Sequence, residues 1–69
     1  MPAQTVIANG TETAVALPCS VEKFLQDQGL MPRSVVVEHN GEAVSPSMFA
    51  DRELSPGDRL EIVRIVAGG

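Results

Sequence analysis

Two Asn-Gly dipeptides constrain most strongly what this chain can fold into. Asn9-Gly10 separates two stretches of strand-forming residues, at positions 4–8 and 13–17. Asn and Gly both tolerate positive φ, so an Asn-Gly between such stretches predicts a tight hairpin of two antiparallel strands. Asn40-Gly41 follows a β-branched stretch at positions 34–39 and predicts a turn at the end of a third strand.

One short amphipathic helix is predicted between the second and third strands. Ser20 is a favourable N-cap, and Gly29 is a favourable residue just beyond the helix C-terminus. Between them, apolar residues recur at helical spacing, at Val21, Phe24 and Leu25. A helix with one apolar face must pack on another element, and the flanking strands supply a sheet for it.

The last strand is predicted over residues 59–67, after a type II turn at Pro56-Gly57. No strand follows it, so we expect it to pair in the middle of the sheet, beside the first strand. The element order predicts an α+β fold in which a mixed sheet of four to five strands packs on one helix. We expect residues 1–67 to form a single domain, because 69 residues are too few for two.

This last strand carries apolar residues on both of its faces. If Leu60 and Ile62 face the helix, Val63 and Ile65 lie on the opposite, open face of the sheet. The solvent face of a one-sided antiparallel sheet is normally polar, so these exposed apolar residues predict a docking patch for a partner protein.

The composition excludes or disfavours several classes of function. A net charge of −4 with scattered basic residues argues against nucleic-acid binding. So short a chain has little room for a deep pocket, which disfavours a self-sufficient enzyme. The apolar runs are too short to span a membrane, no signal peptide is recognisable, and the single Cys19 suits a reducing compartment, so we expect a cytoplasmic protein.

The chain ends in Gly68-Gly69, directly after the predicted apolar strand. Residues without a Cβ can pass through a narrow channel and adopt conformations closed to other residues. We therefore expect residues 68–69 to form a flexible tail. At about 3.3 Å per extended residue, residues 66–69 would reach roughly 13 Å beyond the sheet.

These features together resemble the thiamine-biosynthesis sulfur carriers of the ThiS family. The resemblance covers about residues 5–69, and its most specific parts are the Gly57-Asp58 turn before the final strand and the terminal Gly68-Gly69. It implies a ubiquitin-like β-grasp fold and a carrier protein that other enzymes act on, rather than an enzyme.

The resemblance also implies how such a carrier works. An E1-like, ThiF-like adenylyltransferase joins the Gly69 carboxylate to AMP, and a persulfide sulfur donor leads to a thiocarboxylate. A ThiG-like thiazole synthase then receives the sulfur. ATP is bound by the partner, so we expect no cofactor and no metal on the carrier itself, and we expect the free chain to be a monomer. The residues predicted to bind partners are Val63, Arg64, Ile65, Val66 and Ala67.

Two other chemically notable residues receive simpler interpretations. Cys19 lies near the helix N-terminus, where a lowered pKa would suit a sulfur relay, but a lone cysteine is more often a small buried apolar residue. His39 lies beside a turn without a second His or Cys to complete a metal site, so it is interpreted as a solvated strand end.

Several functions remain open at this level. Sulfur carriers of other pathways share the terminal Gly-Gly, namely the small subunit of molybdopterin synthase and carriers for cysteine biosynthesis or tRNA thiolation. A ubiquitin-like modifier joined to lysines through Gly69 is a different class. A non-covalent β-grasp binding module, in which the tail has no role, is a third.

Overall fold

The computed structural model describes residues 4–65. Within that range the chain forms seven β-strands, one α-helix and two short 3₁₀ turns. In chain order the elements are β1 (Thr5–Ala8), β2 (Thr11–Ala14), β3 (Cys19–Ser20), α1 (Val21–Asp27), a 3₁₀ turn (Pro32–Ser34), β4 (Val35–His39), β5 (Glu42–Val44), a second 3₁₀ turn (Pro46–Met48), β6 (Glu53–Leu54) and β7 (Arg59–Arg64).

Five of these strands form one mixed sheet in the order β2-β1-β7-β4-β5. The last strand, β7, lies in the middle, parallel to β1 and antiparallel to β4. The α+β class, the sheet packed on one helix and the central position of the final strand are therefore confirmed. The short strands β3 and β6 pair with each other in a separate two-stranded sheet.

The first hairpin forms as predicted, but its second strand was placed wrongly. Asn9 and Gly10 have φ of 51° and 80°, as the two-residue turn requires. A two-residue turn sets Ala8 opposite Thr11, so β2 begins directly after Gly10. The predicted strand over 13–17 began two residues too late and ended three too late, although the turn type already fixed the register.

Helix α1 has the predicted caps at both ends. The Ser20 hydroxyl accepts a hydrogen bond from the Lys23 N–H at 3.0 Å. At the other end Gly29 has φ of 75°, and the Leu30 N–H donates to the Leu25 carbonyl at 2.8 Å. This is the Schellman arrangement, which satisfies carbonyls that the helix end would leave without partners.

The core lies between α1 and the inner face of the five-stranded sheet. The predicted stripe of Val21, Phe24 and Leu25 is fully buried. The sheet and the loops contribute the remaining buried apolar residues, which are Val6, Cys19, Val35, Val37, Val44, Phe49, Leu54 and Leu60. A chain of this size has few core positions, so each of them contributes a large share of its stability.

The structure describes the last strand and the residue that follows it, Ile65. β7 runs to Arg64, and the Ile65 N–H continues the pairing by donating to the Ser34 carbonyl at 2.7 Å. The predictions for Val66, Ala67, Gly68 and Gly69 lie outside the described residues. Among residues 4–65, no helix has the length and hydropathy needed to cross a membrane.

Candidate functional site

The candidate site is the end of β7, the strand that leads toward Gly69. Val63 lies on the sheet face away from α1 with 63% of its surface exposed, and Ile65, just beyond the end of β7, is 55% exposed. Val36, 53% exposed, stands directly opposite Val63 on β4. We call these three residues the outer patch. The outward orientation predicted for Val63 is confirmed, and Ile65 is exposed as well. Val36 joins the patch through a strand pairing that sequence alone does not reveal.

Arg64 lies on the other face of the sheet from Val63, because side chains alternate along a strand. It borders two adjoining grooves near the C-terminal end of α1, of about 430 and 330 Å³. Phe24 and Ile62 line the first groove, and Met31 and Ile65 line the second. Val63 and Arg64, two of the predicted partner-binding residues, thus lie on different faces of the sheet. An apolar patch lies on one side of the strand and a guanidinium on the other.

The side chain of Asn9 extends the support of β7 beyond the end of β1. Its amide Nδ2 donates to the Ile62 carbonyl at 3.0 Å, and its Oδ1 accepts from the Ile62 N–H at 2.7 Å. Backbone pairing between β1 and β7 reaches only Leu60, opposite Ala8. The asparagine of the first turn therefore acts as a substitute strand residue and holds the segment that leads to the site.

We expect Asn9→Gly to loosen β7 locally. Glycine accepts the positive φ of position 9 but removes both side-chain hydrogen bonds to Ile62. Hydrogen exchange measured by NMR should show the Ile62 amide exchanging about tenfold faster, the effect of losing roughly 1.4 kcal/mol of local protection. The control is Asn40→Gly, which removes side-chain hydrogen bonds to Asp58 and Arg59 instead. Equal acceleration at Ile62 in both variants would contradict a local role for Asn9.

The start of β7 is held by a polar cluster around Asp58. One carboxylate oxygen lies 2.7 Å from His39 Nε2 and accepts from the Ser55 N–H at 2.8 Å, which closes the turn before β7. The other accepts from Asn40 Nδ2 at 3.2 Å. Asn40 Oδ1 also accepts from the Arg59 N–H at 2.8 Å. Both Asn-Gly turns therefore bind the last strand through their asparagine side chains.

His39 was interpreted wrongly as a solvated strand end. It is 9% exposed, because the alternation of β4 places Val35, Val37 and His39 on the same inward face. Its partner Asp58 is 19 residues away along the chain, so no local pattern announced the pair. The interpretation of Asp58 as a turn residue is confirmed.

The Asp58 cluster makes stability depend on pH. Burial alone would raise the pKa of Asp58, but hydrogen bonds from His39, the Ser55 N–H and Asn40 outweigh it and lower that pKa. A carboxyl with a lowered folded-state pKa stabilises the fold fully above its unfolded pKa of about 3.9, and this stabilisation is lost as the pH falls through the lower folded value.

We therefore expect Asp58→Asn to reduce the free energy of unfolding by about 1–3 kcal/mol at neutral pH. The gap in the free energy of unfolding between the variant and the parent protein should narrow below about pH 4, as the pH falls through the lowered folded-state pKa of Asp58. Urea unfolding at a series of pH values measures both. Asp51→Asn, at an exposed position, is the control. A gap that stays constant down to the lowest pH would contradict the role of the charge.

Cys19 is a structural residue. It is 5% exposed and pairs with Leu54 across the β3–β6 ladder. Burial, followed by the nearby charge of Asp27, raises the pKa of the Cys19 thiol. The alternative of a lowered pKa is therefore wrong, and the buried apolar role is confirmed. Across residues 4–65, no three His, Cys, Asp or Glu side chains are grouped so as to hold a metal ion.

The sequence of this chain matches one known protein family. A sequence model of the ThiS family matches residues 2–69. The chain belongs to the ThiS family. Its sheet order and single packed helix are the β-grasp fold that the family resemblance implied.

Solved structures agree with this membership. The crystal structure of the thiamine biosynthesis protein ThiS from Geobacter metallireducens aligns with a TM-score of 0.81 at 26% identity, covering 94% of this chain and 99% of that one. An NMR structure of a thiamine biosynthesis protein from the same organism aligns with a TM-score of 0.78 at 26% identity, covering 94% and 87%.

The curated relative is a thiazole synthase from Paramagnetospirillum magneticum. It is 38% identical to this chain over 64 residues, which make up 93% of this chain. This chain spans only 20% of the length of that relative.

Proposed function

We propose that this protein is a sulfur carrier whose Gly69 carboxylate is adenylylated, converted to a thiocarboxylate and used as the sulfur source for thiazole formation in thiamine biosynthesis. The observation that carries the proposal is the match to the ThiS family over residues 2–69. The position of β7 supports it. This strand leads toward Gly69 from the middle of the sheet, where two neighbouring strands hold it.

The chemistry is nucleophilic acyl substitution. A free carboxylate is a poor electrophile, so an oxygen of Gly69 first attacks the α-phosphorus of ATP and releases pyrophosphate. Sulfide displaces AMP from this acyl adenylate and yields the thiocarboxylate directly. A persulfide instead yields an acyl disulfide, which a thiol then reduces. We propose that an E1-like, ThiF-like partner holds the ATP and stabilises the developing charge, so the carrier is a substrate rather than an enzyme.

Gly68 and Gly69 would enter the closed site of the partner while the folded body docks outside it. We propose that Val63 and Ile65, with Val66 and Ala67 beyond them, contact the partner surface. Arg64 would reach an acidic group of the partner from the opposite face of β7. For the sulfur acceptor, the relative from Paramagnetospirillum magneticum supports a thiazole synthase, because a segment similar to this chain makes up part of a protein of that name.

Intact-mass spectrometry tests this function. The purified chain is incubated with the ThiF-like adenylyltransferase encoded in the same genome, ATP, a sulfur donor and a thiol. A carrier gains the mass difference of sulfur for oxygen, and fragment ions place it on Gly69. Conjugates of higher mass indicate a modifier instead, and an unchanged mass indicates a non-covalent binding module.

The docking role of the outer patch predicts a loss of activation in Val63→Asp. A charge placed in a buried apolar contact should weaken binding to the adenylyltransferase at least about tenfold. Because Val63 is 63% exposed, the free energy of unfolding should change by less than about 0.5 kcal/mol. Met48→Asp, at an apolar residue that is 50% exposed outside the outer patch, is the matched control. Equal activation of both variants would remove the patch from the interface.

A further inference from the structure

Next to the outer patch, two glutamates stand directly opposite each other on neighbouring strands. Glu38 on β4 pairs with Glu61 on β7, one row of outward side chains beyond Val36 and Val63. Both side chains are exposed. Their Cβ atoms are separated by about 4.5–5.5 Å, the spacing of directly opposed residues in an antiparallel ladder.

This arrangement does not serve the stability of the isolated domain. Like charges directly opposite each other in a sheet are destabilising. The ion pairs within 4.0 Å among residues 4–65 are Lys23–Asp27, His39–Asp58 and Arg52–Glu42, so no cation that the structure describes neutralises the two carboxylates. Arg59, the next outward residue of β7, is not close enough to pair with either of them.

We propose that Glu38 and Glu61 together receive a Lys or Arg side chain of the adenylylating partner, while the outer patch contacts an apolar surface beside that cation. This inference rests on the proposed function and specifies the chemistry of its interface. An enzyme that binds ATP and a carboxylate needs positive potential around its site, so a carrier with a net charge of −4 complements it.

The strand geometry also fixes the orientation of the docked carrier. Outward residues of one strand are about 6.6–7 Å apart, so the row of Glu61 lies that far from the row of Val63 and about twice as far from Ile65. The partner's cation therefore contacts the side of the patch away from Gly69. The apolar contact lies between the cation and the adenylylation site, and the carrier cannot reverse its direction without losing one of the two contacts.

The test uses the double variant Glu38→Gln/Glu61→Gln with the ThiF-like adenylyltransferase of the same genome. Carrier-dependent ATP–pyrophosphate exchange at low ionic strength should show a KM about three- to tenfold higher, with kcat unchanged, because only docking is weakened. High salt should raise the KM of the parent protein and narrow this difference. The reversed variant Glu38→Lys/Glu61→Lys should raise KM further. The melting temperature of the double glutamine variant should not fall, because the substitutions relieve the repulsion between the two carboxylates.

A matched control removes two charges elsewhere. Asp51→Asn/Glu53→Gln causes the same change in net charge at two exposed positions near β6. An equal rise in KM for the control would show that only net charge matters and would overturn the inference. The inference would also be overturned if the glutamine variant had the same KM as a parent protein that is activated normally. If the parent protein supports no exchange at all, the proposed function itself fails, and the inference fails with it.

Discussion

A chain lengthened by one alanine after Gly69 is expected to lose sulfur transfer while keeping its fold. The added residue moves the terminal carboxylate by about 3.3 Å and leaves a neutral amide where the nucleophilic oxygen of Gly69 should be. Misplacement of a reacting group by even about 1 Å can cost roughly 100-fold in rate, so we expect a loss of at least that size. The core residues that the structure describes, from Val6 to Leu60, are unchanged by this addition.

Two measurements distinguish misplacement of the terminal carboxylate from unfolding of the protein. Intact mass after incubation with the adenylyltransferase, ATP and the sulfur source reports sulfur transfer, and urea unfolding reports stability. The control carries one alanine before Met1 and should gain sulfur normally. If the lengthened chain accepts sulfur at the rate of the control, a free carboxylate at Gly69 is not the working group, and the carrier function is wrong.

The second large effect is expected from Phe24→Ala. Phe24 is 1% exposed and lies at the centre of the stripe that joins α1 to the sheet. Truncating a buried Phe to Ala removes about 3–5 kcal/mol. A domain of 69 residues has roughly 3–10 kcal/mol of stability at ordinary values per residue. The substitution should therefore remove between about a third and all of the stability, and the urea midpoint should fall accordingly.

Circular dichroism during urea titration measures this loss. Gln26→Ala, at an exposed position of the same helix, is the control and should leave the midpoint nearly unchanged. If Phe24→Ala cost less than about 1 kcal/mol, the helix would not be anchored to the sheet by this residue. The variant should also be activated poorly, in proportion to its unfolded fraction rather than through any contact with the partner.

Where local chemistry decides the conformation, the elements were predictable. Asn9-Gly10 and Asn40-Gly41 require positive φ, Ser20 caps the first turn of α1, and Gly29 ends the helix. The placement of β7 was predictable for a different reason. A final apolar strand with no later partner is best buried between two strands that already exist, and it lies between β1 and β4.

Contacts between residues far apart in the chain were predicted wrongly from the sequence or were not predicted at all. His39 is buried because it meets Asp58 across the fold, and Asn9 holds Ile62, 53 positions away. Val36 is part of the outer patch, and Glu38 is the neighbour of Glu61, because the β4–β7 register sets them side by side. None of these contacts has a signature in local sequence spacing.

The sequence by itself determined where the chain turns, where its helix begins and ends, and which faces of its strands are apolar, because a few neighbouring residues govern backbone dihedrals and side-chain alternation. The tertiary structure alone decided which side chains meet, since strand register is a long-range property that appears only when the sheet closes around β7. The apolar patch, the opposed glutamates and the polar clamps of the last strand all belong to this second group.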